Sequence, residues 1–233
     1  MKLLIALVRR DLSMLIRDTA LFYGVVAVVL TFATLAGILS RLAVADDRLR
    51  LDLTLALIVL NWLLVGREVS RTFAENDFQN RTLNGLAVMG LDLGSHFIAR
   101  VFSGTVFVAA LNLLGLFATL YISGLDLFTQ GFAQFAPVLF TLGLFALGIT
   151  ALATLLAAIA VQISGLGLVF DILLLPLAIP QTLGVLAVLQ SSVERAPNIF
   201  LSSAMLLTFG FAILVVGLGL ILFEFLVNYD RAR

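Results

Sequence analysis

The sequence predicts an all-α integral membrane protein with six transmembrane helices, and three observations predict it. Mean hydropathy is +1.16 and 62% of the residues are hydrophobic, more apolar surface than a soluble fold of 233 residues can hide. The apolar residues form long runs on the scale of the roughly 20 that a helix needs to cross a hydrocarbon core about 30 Å thick. The charged residues, only 12% of the chain, gather mostly between those runs.

Residues 1–19 form the first element. Leu4, Ile5, Val8, Leu12, Leu15 and Ile16 share one helical face, and Lys2, Arg9, Ser13 and Arg17 share another. That is the pattern of an amphipathic helix lying in a membrane interface; the alternative is an extension of the first span. The apolar run that follows exceeds a signal-peptide core and no small-residue cleavage site comes after it, so this start is expected to be retained.

The spans are expected at residues 20–44, 53–66, 97–122, 132–161, 163–190 and 201–227. The second is short and bracketed by Asp52 and Arg67, and crosses by tilting, by local thinning of the bilayer, or by extending through its polar flank. In the fifth, the stretch FDILLLPLAIPQ carries Pro176 and Pro180, each of which removes a backbone donor, so the helix is expected to kink or break there. A broken span either packs inside the bundle or borders a cavity. Asp171 then lies about 12 Å into the membrane by helical rise. It is either a hydrogen-bonded helix–helix contact or a relay or substrate residue; with no second charge at comparable depth, the structural role is favoured. The following TLGVLAVLQSSVERAPNIF is expected to leave the helix as a re-entrant or interfacial piece.

With the N-terminus in the cytoplasm, ten of the fourteen Lys and Arg residues fall on that side and four, Arg41, Arg48, Arg50 and Arg195, on the other. The positive-inside rule therefore places both termini, and the interval 67–96, in the cytoplasm. That interval is the longest polar one and is too short for a core of its own, so residues 1–233 are expected to form a single transmembrane domain.

Several chemistries are excluded or disfavoured. A P-loop requires a lysine beside its glycine-rich turn, and Lys2 is the only lysine; the chain is not expected to be an ATP-hydrolysing enzyme by itself. There is no cysteine, hence no disulfide and no thiolate metal ligand. The single histidine, His96, has no ligand-spaced companions and reads as a polar end-cap to the third span. The four methionines are scattered and read as packing or lipid-facing residues. No nucleic-acid partner is expected; membrane lipid is.

One polar island remains, SRTFAENDFQNRTLNGL at 70–86. Glu75, Asn76, Asp77, Gln79, Asn80 and Arg81 are punctuated by Phe73, Phe78, Leu83 and Leu86. Aromatic anchors with charges at the rim suit a short helix that docks a partner protein; the alternative is an ordinary solvated loop.

These features resemble the cytochrome c maturation protein B family, the haem exporter protein B subunits, within the broader ABC-2-type permeases. Phe73, Asp77, Gln79, Thr82, Leu83 and Leu86 match the family's loop pattern, and Leu175, Pro176, Leu177, Ile179 and Pro180 match its Leu-Pro-Leu-x-Ile-Pro motif. Length, six-span layout and basic amphipathic start also match. The chain departs from the pattern where Arg81 replaces a glycine of the loop turn and where one residue is inserted between Phe73 and Asp77.

The resemblance implies an ABC-2-type permease fold in a bacterial inner membrane, acting as a pair with a separate ATP-binding cassette subunit. It implies that the 67–96 loop is a coupling element whose Phe73, Asp77, Phe78, Gln79, Arg81, Thr82 and Leu83 contact that ATPase. It further implies a role in cytochrome c biogenesis beside a haem-handling membrane protein with a Trp-rich motif and a small single-span protein. ATP and haem are then held by partners, and no cofactor is bound directly by this chain, whose only tryptophan is Trp62. Two other functions fit the residues: an ABC-2 permease exporting a lipid or drug, and a non-transporting membrane scaffold.

Overall fold

The computed structural model describes residues 2–17, 19–42, 47–79, 93–124, 132–162, 166–194, 196 and 198–231. They form seven α-helices and no strand: α1 Lys2–Arg17, α2 Thr19–Leu42, α3 Asp47–Gln79, α4 Leu93–Ser123, α5 Phe132–Gln162, α6 Leu166–Val193 and α7 Ser203–Arg231. The last six each contain a stretch long and apolar enough to cross a membrane, from Phe22–Leu39 in α2 to Ser203–Leu222 in α7. The chain is an all-α, multi-pass membrane protein.

Helix α5 is the axis of the bundle. It packs against α3, α4, α6 and α7, and 72% of its span is buried, against 28% for the peripheral spans of α2 and α7. Lipid is as apolar as leucine, so close packing and interhelical hydrogen bonds hold such helices together. Both occur here. A Cβ on Gly66 would lie 2.7 Å from the Ile149 Cγ2, so the absence of a side chain on α3 lets α5 approach. Thr105 of α4 and Thr150 of α5 share a hydroxyl hydrogen bond of 3.0 Å.

Helix α6 runs unbroken through Pro176 and Pro180, contrary to the break expected from the loss of two donors. Both prolines are on the exposed side of the helix. The opposite face, Leu174, Ala178, Gln181, Val185 and Val188, is buried at helical spacing and keeps its packing. Gln181 anchors that face by donating from Nε2 to the Leu144 carbonyl at 2.9 Å, in space left by Gly148. The expected re-entrant piece after Gln181 is likewise helix, up to Val193. A single 3-10 turn, Ile199–Leu201, then precedes α7, entered through Asn198 at φ 57°, a left-handed conformation that asparagine tolerates.

At the end of the bundle where α3 begins and α6 finishes, Gln190 Nε2 donates to Asp52 Oδ1 at 3.1 Å. Arg48 and Glu194 approach at 3.9 Å on the exposed rim.

Candidate functional site

Residues 70–79 of the polar island form the far end of α3. This helix has 33 residues, about 50 Å at 1.5 Å per residue, well beyond the hydrocarbon thickness. The expected loop at 67–96 is therefore shorter than its polarity suggests: residues 67–79 continue α3, and 93–96 are already the first turn of α4. The second span is correspondingly longer than the expected 53–66, with an apolar stretch of Leu51–Phe73.

At the root of this projection three elements meet. Leu7, Asp11 and Leu15 form a buried line on α1, at the i, i+4 spacing that puts side chains one above another, and α1 packs chiefly on α4. Arg100, two turns into α4, places Nη1 3.1 Å from Asp11 Oδ1; the two side chains are 3% and 0% exposed. Arg10 donates to the same oxygen from Nε at 3.0 Å and Nη2 at 2.9 Å. On its other side the Arg100 guanidinium lies 4.5 Å from the centroid of the Phe73 ring of α3, a cation–π geometry. Phe73 in turn rests on α4 at Gly104, where a Cβ would stand 3.4 Å from its ring.

This is an electrostatic lock among α1, α3 and α4. A buried guanidinium is tolerable only when paired, so Asp11 and Arg100 hold their helices in one register. Arg10, 44% exposed, leads the same carboxylate toward the surface.

The residues expected to contact a partner are distributed unevenly about this lock. Phe73, expected on the docking surface, is buried at 4% exposure; its ring is engaged by Arg100 and it belongs to the root, not the surface. Asp77, Phe78 and Gln79 occupy the last turns of α3, with side chains outside the described set, and Arg81, Thr82 and Leu83 lie outside the described residues. Asp171 sits on the second turn of α6, its side chain also outside that set. Pro176 and Pro180 are on α6, a helix that contributes no residue to the lock. His96, expected as a polar end-cap, lies in the first turn of α4, one turn before Arg100, and is 1% exposed.

Two lock residues are absent from the sequence-based expectations. Asp11 is the only acid in the first 17 residues and falls between Leu7 and Leu15 on one helical line. Arg100 lies inside the apolar run of the third span. An acid on an apolar line and a base inside a span are each expensive alone, and the two together are the signal for a pair. The α1 face that packs on the bundle is turned about a quarter-turn from the centre of the expected apolar face at 100° per residue. Ile5 and Ile16 of that expected face are 59% and 62% exposed.

Among the described residues no group of three or more His, Cys, Asp or Glu side chains is placed to hold a metal ion. No family model matches the sequence, and no curated protein matches it.

Proposed function

We propose that this chain is the transmembrane subunit of an ABC transporter complex in cytochrome c biogenesis, coupling ATP hydrolysis in a separate subunit to haem delivery or to release of the haem-loaded chaperone. Its setting is the bacterial inner membrane, with both termini and the α3–α4 connection in the cytoplasm. The observation that carries this reading is the Asp11–Arg100–Phe73 lock. A segment that receives force from a partner must be fixed rigidly at its base, and here the base of the polar projection is tied to the returning span and to α1 at once. The contact with the ATPase is made by Asp77, Phe78, Gln79, Arg81, Thr82 and Leu83, and Phe73 passes the displacement inward.

Two further features support the division of labour. Lys2 is the only lysine, so nucleotide chemistry falls to a partner. The one tryptophan and the one histidine, Trp62 and His96, are 0% and 1% exposed, so neither is presented to an exposed haem, which is held by the haem-handling membrane protein. Two copies of the chain, one for each ATPase subunit, move as rigid bodies when the ATPases close.

The test is haem staining of c-type cytochromes in cells lacking the gene, complemented with native protein or with Asp77→Arg, alongside co-purification of the ATPase. Restored staining with native protein, and loss of both staining and ATPase with membrane-inserted Asp77→Arg, is the expected result. Cytochromes unaffected by the deletion, with an ATPase still bound, would assign the chain to lipid or drug export. No bound ATPase would make it a scaffold.

A further inference from the structure

The centre of the bundle holds polar groups that its helices do not satisfy. Asn61 and Trp62 of α3 and Asn112 of α4 are 2%, 0% and 0% exposed. Asn61 Oδ1, the Trp62 indole N–H and both side-chain polar atoms of Asn112 have no hydrogen-bond partner among the described residues. Asn61 Nδ2 reaches the Val29 carbonyl only at 3.5 Å, the long limit of such a bond.

These groups lie at one level. Asn61 packs on Gly115 of α4, where a Cβ would stand 2.8 Å from its Nδ2, and Asn112 is one turn earlier on that helix. Asn112 is also seven residues after Thr105 and so shares its face of α4, the face that meets Thr150 of α5. Two turns back along the antiparallel α5 is the turn from Leu142 to Phe145. Trp62 meets that same turn, its ring 5.9 Å from that of Phe145.

We infer that Asn61, Trp62 and Asn112 build a buried hydrogen-bonding site that takes water within the membrane-spanning part of the protein. The donor and acceptor inventory selects the ligand. The indole offers a donor only, Asn112 offers two donors and an acceptor, and Asn61 offers an acceptor. A cation would face the indole N–H, which cannot turn into an acceptor, and an anion at a neutral site inside the membrane would stand without a charged partner. Water both donates and accepts and makes about three bonds in such sites. The site is distinct from the lock at Asp11 and Arg100 and does not depend on the proposed function.

Trp62 is the only tryptophan, so labelling tryptophan with nitrogen-15 gives a single indole signal from the full chain in lipid nanodiscs. The expected result is a through-space cross-peak between the indole proton and water in the native protein, lost in Asn112→Leu. A resolved native indole signal with no water cross-peak would overturn the inference. So would a cross-peak to lipid protons in its place, or a water cross-peak that survives Asn112→Leu. Absence of the native cross-peak overturns the inference without any variant, and where Asn112→Leu does not fold, the closer-sized Asn112→Val reads the same loss, with survival of the cross-peak there overturning it.

Discussion

Arg100, inside the third span, meets Asp11 of the N-terminal helix at 3.1 Å with both side chains almost wholly buried. Removing one partner leaves a buried charge without compensation, which typically costs about 3–5 kcal/mol. Asp11→Ala is therefore expected to lower the thermal midpoint in detergent by roughly 6–20 °C, at about 2–4 °C per kcal/mol for a chain of this size. The double variant Asp11→Ala/Arg100→Met should lose less than the sum of the two single losses, because the second change removes the stranded charge. Additive losses would show that the two side chains do not act as a pair.

Phe73 and Asp77 are one turn apart on α3 and are expected to fail differently. Phe73→Leu keeps apolar volume and loses the cation–π contact with Arg100, worth about 0.5–2 kcal/mol. On the proposed coupling role, it should retain a bound ATPase while reducing stimulation of its ATP hydrolysis. On the same role, Asp77→Arg should release the ATPase and leave the thermal midpoint unchanged. Measuring binding and stimulation on the same preparations separates the root of the projection from its surface.

Gly217 and Gly219, two residues apart on α7, give a matched test of packing. A Cβ on Gly219 would overlap the Phe97 ring, whereas one on Gly217 would meet nothing within 4 Å. Phe97 is fully buried, so its ring cannot swing away cheaply. Gly219→Ala is expected to cost about 1–3 kcal/mol through overpacking. Gly217→Ala should be neutral or gain up to about 1 kcal/mol from helix propensity. Thermal unfolding of the two variants side by side checks the register between α4 and α7.

The absence of native cysteine makes cross-linking free of background. Asp52→Cys with Gln190→Cys should be joined by a short bis-thiol reagent, because these side chains touch at one end of the bundle. Arg17→Cys with Gln190→Cys should not, since α1 packs at the other end, against the start of α4. Shifted mobility on denaturing gels reads both outcomes.

The spans were legible because each is a long apolar run, and composition alone sets that signal. Their limits were less legible where polar residues continue a helix. Arg67 reads as the end of a span, yet α3 passes through it to Gln79, since no proline or glycine between Gly66 and Gln79 breaks the helix. Pro176 and Pro180 misled in the opposite sense. A missing donor breaks a helix only where the backbone has no other support, and here the prolines lie outward while Gln181 and its line of apolar neighbours hold the inner face. The lock is hidden in the sequence because it joins residues 89 positions apart, from Asp11 to Arg100, and local periodicity links neither to the other. The sequence reading places Phe73 on a docking surface, whereas it is buried beneath Arg100, because a single sequence shows aromatic spacing without showing which ring receives an arginine.

The central position of α5 also constrains biogenesis. The second and third spans, α3 and α4, leave the ribosome before α5, against which both pack, so Thr105, Thr150's future partner, enters the bilayer ahead of the helix that engages it. Until the fourth span arrives, the Thr105 hydroxyl bonds only back to the Val101 carbonyl of its own helix, and the α4 face that will meet α5 stays open. A chain truncated after Gly124 is thus a candidate for recognition by membrane proteases, whereas one ending beyond Gln162 already has its organising helix.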